Sequence, residues 1–203
     1  VLTDFEDVSP EAVAAWRQSG LARDAGPVPQ RPQEREAWMR FKSQTLTRFT
    51  LQLRQAVQAI RGPQVKTARN LFALPILEPQ SEAWFAQNLD DFLAAYDWTV
   101  PMAMPLMESV PIDASQAWLA RLVQAVARHP GALKKTIFEL QARDWNRRQQ
   151  NAIPDQQLAD WMRLLRLNGV KNYGYYPDDF INNQPDISRI RPQFSSWWYP
   201  DHD

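Results

Sequence analysis

The sequence predicts an α/β fold that forms the C-terminal part, about five βα units, of a TIM-like (β/α) barrel. Short apolar runs alternate with amphipathic helical segments, and each connection is long enough for a right-handed crossover between parallel strands. No G-x-G-x-x-G motif or P-loop follows any apolar run, which argues against an open nucleotide-binding sheet. Instead, acidic, amide and aromatic residues follow the runs, and such residues form the active face of a barrel.

The composition narrows the class of protein. With 44% hydrophobic and 23% charged residues among 203, the chain is typical of a globular protein. Lys plus Arg and Asp plus Glu both total 23, so the formal net charge is zero and we expect no nucleic-acid partner. The chain has no cysteine, which excludes disulfides and thiolate metal sites. Its nine Trp, nine Phe and five Tyr suit either a core or a cleft in which sugar faces stack on rings.

The helices follow from apolar residues that recur every three or four positions. They are predicted over residues 10–21, 34–60, 81–96, 115–128 and 155–167. Ser9 and Ser81 are the expected N-caps of the first and third helices, and Asn168 with Gly169 is expected to end the last one.

The strands are short apolar runs bounded by proline, glycine or polar residues. They are predicted within VLTDFED (1–7), QVKTARNLFALPIL (64–77), DWTVPMAMP (97–105), KKTIFELQARDW (134–145) and VKNYGYYPDDF (170–180). A barrel of this type has eight strands, and five are predicted here. We therefore expect Val1 to lie inside a larger barrel whose first three strands precede it.

The segment DFED in the first predicted strand carries the candidate catalytic residues. Asp4 and Glu6 are two positions apart, so their side chains point to the same face of a strand. Mutual repulsion raises the pKa of one such carboxyl and leaves the other ionised, which is the division of roles that glycoside hydrolysis needs. The alternative is structural, in that one of these carboxylates or Asp7 caps the following helix or pairs with an arginine.

Residues after the later strands are candidates for substrate binding. Trp145 beside Asp144 suits a sugar-stacking platform with a hydrogen-bonding neighbour, although packing of Trp145 beneath its own loop is equally open. Three tyrosines crowd a strand end around Gly174, and we expect at least one to face a cleft. The full set of expected binding residues is Asp7, Asn70, Glu108, Gln141, Asp144, Trp145, Tyr173, Tyr175 and Tyr176.

The two histidines are poorly placed for chemistry. His129 precedes a proline in a helix-ending turn, and His202 is among the last three residues of the chain. Neither position suits a general base or a metal ligand, so we expect no metal and no other cofactor in this chain.

Several long stretches carry a family resemblance: RGPQVKTARN, SEAWFAQNLDDFLAAYDWT, PMAMPLME, HPGALKKTIFELQARDW and NGVKNYGYYPDDF. They resemble the C-terminal glycoside-hydrolase-like domain of the PgaB family, the poly-β-1,6-N-acetyl-D-glucosamine N-deacetylases of Gram-negative biofilm export systems. That family joins an N-terminal deacetylase domain to a C-terminal (β/α) barrel that binds, and in some members cleaves, the partly deacetylated polymer. The resemblance implies that residues 1–203 are the latter portion of the barrel, without the deacetylase domain and the first barrel strands.

The resemblance also implies a function. Asp4 and Glu6 match an electronegative groove that receives glucosamine units, and Trp145 matches a groove tryptophan. Hydrolysis of the polymer, of endo-β-1,6-glucosaminidase type, would use Glu6 as the acid. Asp4 would act as a nucleophile, as a base, or as an orienting group for the substrate acetamide. The alternative is a non-catalytic module that guides the polymer to an export pore.

Partners and location are implied in the same way. The expected partners are poly-β-1,6-N-acetylglucosamine, its partly deacetylated form, the upstream half of the barrel, the deacetylase domain and an outer-membrane export porin. The expected location is the periplasm, with attachment to the outer membrane through a lipid anchor upstream of this chain.

Overall fold

The computed structural model describes residues 9–21, 31–146 and 151–194. Two units are distinguished along the chain, Val1–Asp97 and Trp98–Asp203. The first predicted strand, with Asp4, Glu6 and Asp7, lies outside the described residues. Among the residues that are described, no helix combines the length and the apolar character needed to cross a lipid bilayer.

Within its described residues, 9–21 and 31–97, the first unit is mainly helical and contains one strand. Its elements are α1 (Pro10–Gln18), α2 (Pro32–Arg61), β1 (Ala68–Leu71), α3 (Leu74–Leu77), α4 (Glu82–Phe85) and α5 (Leu89–Ala95), with a 3₁₀ turn at Pro79–Ser81. Trp16 of α1 packs edge-on against Trp38 of α2, with ring centroids 5.4 Å apart. The long second helix confirms the prediction over residues 34–60.

The apolar face of α2 is buried only in its N-terminal half. Trp38 is buried, as predicted from the periodicity. The later members of the same stripe are between 47% and 83% exposed, namely Phe49, Leu53, Val57 and Ile60.

The prediction of one helix over residues 81–96 is wrong, because the segment forms two helices. Ala86 has φ 49°, in the left-handed region, and ends α4. Ser81 makes no side-chain capping bond, whereas the side chain of Asn88 accepts a 3.1 Å hydrogen bond from Asp91 N and caps α5. Arg40 of α2 then holds both helices, since it donates 2.8 Å hydrogen bonds to Glu82 and to Asp91.

The second unit alternates strands and helices. Its elements are β2 (Trp98–Ala103), α6 (Ser115–Ala127), β3 (Phe138–Gln141), α7 (Asp155–Leu167), β4 (Tyr173–Tyr176) and α8 (Ile187–Ile190), with 3₁₀ turns at Ile112–Ala114, Ala132–Lys134 and Arg191–Gln193. Strand β3 lies between β2 and β4 and pairs with both in parallel. In this register Glu139 lies opposite Met102 on one side and Gly174 on the other.

The part of the sheet formed by β2, β3 and β4 has two chemically different faces. Phe138 and Leu140 are fully buried on the face that α7 covers. Glu139 and Gln141 alternate with them and therefore point to the opposite face. The helix layer itself is tied together by a hydrogen bond, because Trp161 Nε1 of α7 donates to Ser115 Oγ of α6 at 2.9 Å.

The predicted end of the last long helix is confirmed. Helix α7 spans the predicted residues, and Gly169 follows with φ 81°. Gly169 N donates to Arg166 O at 3.0 Å and Val170 N donates to Leu165 O at 3.1 Å. This is the Schellman arrangement that glycine favours after a helix.

Candidate functional site

The carboxyl ends of the three parallel strands meet at one edge of the sheet in the second unit. The last residues of β2, β3 and β4 are Ala103, Gln141 and Tyr176. These strand ends and the loops that follow them supply a set of residues here called the strand-end cluster: Leu106, Met107, Gln141, Trp145, Asn146 and Tyr176. In parallel α/β sheets the ligand site lies at this edge.

Gln141 is the centre of this cluster. Its Oε1 accepts hydrogen bonds from Leu106 N at 2.8 Å and Met107 N at 3.3 Å. Its Nε2 donates to Arg143 O at 2.9 Å, and the side chain is fully buried. The amide therefore fixes the loop after β2 to the loop after β3. Direct contact of Gln141 with substrate stays a prediction.

Trp145 and Tyr176 form a nearly parallel aromatic pair at this edge. Their ring centroids are 6.1 Å apart and their planes differ by 25°. Tyr176 is 56% exposed, and Trp145 is half-buried. Rings arranged in this way present flat apolar surface of the kind that packs on the face of a sugar.

The flanking residues of Trp145 anchor its loop. Asp144 is buried and its Oδ1 accepts a 3.1 Å hydrogen bond from Asn146 N. Asn146 Nδ2 in turn donates to Leu106 O in the loop after β2. The loop is therefore anchored by the residues on both sides of Trp145. The buried carboxylate of Asp144 is one of these anchors, and its contact with substrate stays a prediction.

The structure divides the three tyrosines of β4 between the two faces of the sheet. Tyr176 lies opposite Gln141, on the face of the strand-end cluster. Tyr173 and Tyr175 lie opposite Phe138 and Leu140, on the helix-covered face. Side chains alternate along a strand, so tyrosines that crowd together in the sequence separate in space.

Contacts on the helix-covered face occupy both of those tyrosines. The Tyr173 ring stacks on Phe194 with centroids 5.7 Å apart, and its hydroxyl donates to Gln193 O. Tyr175 donates a 3.1 Å hydrogen bond to Asp178, and burial together with this bond raises the pKa of the Tyr175 phenol. Substrate contacts for both tyrosines stay predictions.

The remaining predicted residues lie at other positions. Asn70 is exposed on β1 in the first unit, on the opposite face of the strand from Arg69, which donates to Thr50 at 3.1 Å. Glu108 is half-buried in the turn after β2, where its backbone N donates to Pro105 O at 3.1 Å. Binding roles for Asn70 and Glu108 stay predictions.

One acidic residue was not among the predicted site residues. Glu139 is half-buried on the same face as Gln141, and burial raises the pKa of its carboxyl. The period of two along β3 is the sequence signal that relates Glu139 to Gln141. Within the described ranges, no group of His, Cys, Asp and Glu side chains is arranged to hold a metal ion.

Comparison with known proteins identifies the family. The family model described as hypothetical glycosyl hydrolase family 13 matches residues 1–176. The chain belongs to this glycosyl hydrolase family. The family match covers β2, β3 and β4 together with the strand-end cluster.

Two curated relatives and one solved structure agree with this membership. The poly-β-1,6-N-acetyl-D-glucosamine N-deacetylases of Escherichia coli strain K12 and of Escherichia coli O157:H7 are each 53% identical over 204 residues. The match covers 100% of this chain, which spans 30% of the length of these relatives. The PgaB (BpsB) glycoside hydrolase domain from Bordetella bronchiseptica superposes with a TM-score of 0.84 at 43% identity, over 93% of this chain and 52% of that one.

These findings confirm the predicted resemblance and the predicted fold. The chain is similar to the PgaB glycoside hydrolase domain, and it has the α/β architecture with a parallel sheet that part of a TIM-like barrel requires. At the level of family, it is a glycoside-hydrolase-like domain.

Proposed function

We propose that this chain binds partly deacetylated poly-β-1,6-N-acetyl-D-glucosamine at the strand-end cluster and hydrolyses it as an endo-acting glycosidase. The observation that carries the proposal is the Trp145–Tyr176 pair, which is held by hydrogen-bonded loops at the strand ends of a glycosyl hydrolase family member. The choice of polymer rests on the Escherichia coli relatives, which are named for deacetylation of this polymer.

The chemistry of the polymer suits such a site. Removing acetyl groups leaves free amines that are protonated at neutral pH, so the polymer becomes a cation. Carboxylates then attract the ammonium groups while aromatic rings hold the sugar faces. Trp145 and Tyr176 supply the rings, and the proposed carboxylates Asp4, Glu6 and Asp7 supply charge.

Hydrolysis would proceed by protonation of the leaving glycosidic oxygen by Glu6 as the acid. Asp4 would serve as the second group. A carboxyl separation of about 5 Å leads to a retaining nucleophile, and one of about 6.5–9.5 Å leads to an inverting base. In a third version, Asp4 orients the acetamide of the substrate, whose oxygen attacks the neighbouring anomeric carbon.

A non-catalytic polymer-binding module is the second candidate. The strand-end cluster consists of stacking rings and anchored loops, and such a surface needs no hydrolysis in order to guide a polymer toward an export pore. In either version we propose that the chain is the C-terminal portion of a larger barrel. Its partners would be the upstream half, a deacetylase domain and an outer-membrane porin, in a periplasmic protein attached to the outer membrane by a lipid anchor.

Mass spectrometry of the polymer after incubation tests the proposal. The longest natural protein that contains this chain would be compared with its Glu6→Gln variant, and Glu36→Gln on the exposed side of α2 is the matched control. We expect shorter oligomers from the wild type and the control and none from Glu6→Gln. Intact polymer from all three proteins, with binding retained, would favour the binding module.

A second variant tests the stacking surface under both candidates. Trp145→Ala should weaken polymer binding about five- to tenfold, because the ring loses its contact with a sugar face. Phe49→Ala, at an exposed phenylalanine of α2, is the matched control and should leave the affinity unchanged. Equal affinities for wild type and Trp145→Ala would contradict a role for the strand-end cluster.

A further inference from the structure

The zero net charge of the chain conceals an uneven distribution of charge in the second unit. Residues 125–138 and 161–172 hold the carboxyl ends of α6 and α7 and the loops that lead into β3 and β4, and they contain no aspartate or glutamate. The loops after the strands, at the opposite edge of the sheet, hold Glu108, Asp144 and Asp179. Positive and negative charge are therefore separated along the direction of the strands.

The topology brings the two cationic segments to one edge of the sheet. Helices that connect parallel strands run antiparallel to them, so α6 and α7 end where β3 and β4 begin. Phe138 and Tyr173, the first residues of these two strands, are partners in the register, and Phe138 N donates to Asn172 O at 3.0 Å. The surface formed at this edge by Arg128, Lys134, Arg163, Leu167 and Lys171 is called the basic edge.

The cations of the basic edge are exposed, and the fold does not neutralise them. Within the described ranges, none of the side chains of Arg128, Lys134, Arg163 and Lys171 forms an ion pair. Lys135 and Arg166 lie in the same two segments and are engaged in interactions of their own. The charge of the four exposed cations is thus available to a partner.

Stabilisation of the helices explains only part of this pattern. Arg128 is the C-cap of α6, and Arg163 lies in the second-last turn of α7. Cations near the carboxyl end of a helix interact favourably with its dipole. Lys134 is in the 3₁₀ turn after α6, and Lys171 follows the glycine that ends α7, so both lie outside the long helices. The two lysines call for another explanation.

An exposed leucine among these cations indicates the kind of partner. Leu167 is the last residue of α7 and is 72% exposed. It follows Arg163 by four residues, so the two side chains share a face of the helix. Cations beside an exposed apolar side chain are typical of surfaces that bind anionic membranes, where the charges meet lipid headgroups and the apolar group enters the interface. An acidic protein surface would match the cations but not the leucine.

We propose that the basic edge binds the surface of a bilayer that contains anionic phospholipids. The cations lie against the lipid phosphates, and Leu167 inserts between the headgroups. This inference goes beyond the proposed function and does not depend on it. The strand-end cluster lies at the opposite edge of the same sheet, so a chain bound in this way keeps the proposed polymer site turned away from the bilayer.

Vesicle flotation tests the charge of the basic edge. The longest natural protein that contains this chain, prepared without any attached lipid, is mixed with vesicles of phosphatidylglycerol and phosphatidylcholine in equal amounts, or of phosphatidylcholine alone. We expect binding to the anionic vesicles only, and release by added salt. Each cation near such a surface is worth about fivefold in binding, so the double variant Lys134→Gln with Lys171→Gln should bind about 20-fold more weakly.

A double variant of equal charge is the matched control. Arg17→Gln with Arg48→Gln removes two exposed cations from α1 and α2 and changes the net charge by the same amount. Its binding to the anionic vesicles should stay within about twofold of wild type, because membrane attraction falls off within a Debye length of the bilayer. Equal losses in the two double variants would overturn the proposal, because net charge alone would then account for the binding.

Leu167→Gln tests the apolar contact separately. Binding to the anionic vesicles should fall about fivefold, because the variant loses the transfer of an apolar side chain from water to the interface. The unfolding midpoint should stay level, since the side chain is exposed in the folded chain. Ile181→Gln is the control, at a residue that is 82% exposed in the loop after β4, and it should bind like wild type.

The remaining outcomes separate membrane binding from the proposed function. If the wild type ignores the anionic vesicles, the proposal is overturned, and an acidic protein becomes the partner that the cations fit. If the wild type binds both kinds of vesicle equally, the proposal is overturned as well, because charge does not select the surface. Weaker vesicle binding with unchanged polymer affinity in the Lys134 and Lys171 double variant supports the basic edge, whether or not the polymer is hydrolysed.

Discussion

Asp97, at the end of the first unit, and Glu139, in the middle of β3 in the second, are carboxylates with opposite surroundings. Asp97 accepts hydrogen bonds from Thr67 N at 2.8 Å and from Thr67 Oγ1 at 2.9 Å, and Lys66 Nζ lies 3.2 Å away. The backbone hydrogen bond from Thr67, followed by its side-chain bond and the Lys66 charge, lowers the pKa of Asp97 to about 2. Burial instead raises the pKa of Glu139.

The difference teaches how the surroundings of a carboxylate decide whether its ionisation favours or disfavours the folded state. The charge of Asp97 is stabilised by groups of the folded chain, so its ionisation favours the folded state. Glu139 is partly removed from water, and its ionisation disfavours the folded state.

Gln141→Leu should have the largest effect on the free energy of unfolding. Gln141 lies on the same face of β3 as Glu139, so this loss measures how much that face stabilises the fold. The substitution keeps the size and removes three hydrogen bonds to the backbone around Leu106, Met107 and Arg143. We expect the free energy of unfolding to fall by about 2–3 kcal/mol, because buried partners lose their bonds. Urea denaturation measures it, with the exposed Gln124→Leu as a control within about 0.5 kcal/mol of wild type. Equal stabilities of the Gln141 and Gln124 variants would contradict the conclusion that Gln141 fixes the two loops to each other.

Asp97→Asn should have the next largest effect. The amide keeps the shape but loses the charge that Thr67 and Lys66 stabilise, so we expect a loss of about 1–2 kcal/mol at pH 7. Because the folded pKa of Asp97 lies below its unfolded value, the difference from wild type should shrink as pH falls from about 5 to about 2. Urea denaturation midpoints at several pH values measure this stability difference, and Asp113→Asn at an exposed site is the control. A pH-independent loss would assign the effect to packing.

Glu139→Gln should have the smallest effect on stability, and it is the variant that can break the comparison. At pH 7 we expect the free energy of unfolding to be unchanged or a few tenths of a kcal/mol higher, because a poorly solvated charge is removed. The folded pKa of Glu139 is raised, so any gain should vanish as pH falls below the unfolded value of glutamate. Thermal unfolding of the wild type and the variant, measured from pH 7 to below the unfolded pKa of glutamate, tests this expectation. A loss above about 1 kcal/mol would make Glu139 structural, like Asp97.

Long regular elements could be predicted from the sequence because their determinants are local. Helix α7 has Leu158, Trp161 and Leu165 at helical spacing and glycine just after its end, and its bounds agree with the prediction. The break between α4 and α5 has determinants elsewhere in the chain. Gln87 Oε1 accepts a 2.9 Å hydrogen bond from Phe72 N, a contact that helical periodicity does not reveal.

The sequence predicted the location of the candidate site better than it predicted which side chains form it. Trp145 was recognised because it follows a strand beside an acid, and the structure places it with Tyr176 at the strand ends. The separation of Tyr173 and Tyr175 from Tyr176 depends on which face of the sheet the helices cover, and the position of Glu139 opposite Gly174 depends on strand register. Strand register is a property of the folded chain, and a single sequence does not specify it.

The hydrogen bonds of Gln141 also bear on the conformational entropy of binding. Each β-1,6 linkage carries one more rotatable bond than a linkage directly between two rings, so a flexible polymer of this kind loses considerable freedom when it is held. Loops that are already ordered add little to that loss. Because a single buried amide already fixes Leu106, Met107 and Arg143, the entropic cost of the proposed binding would fall mainly on the sugar chain and not on these loops.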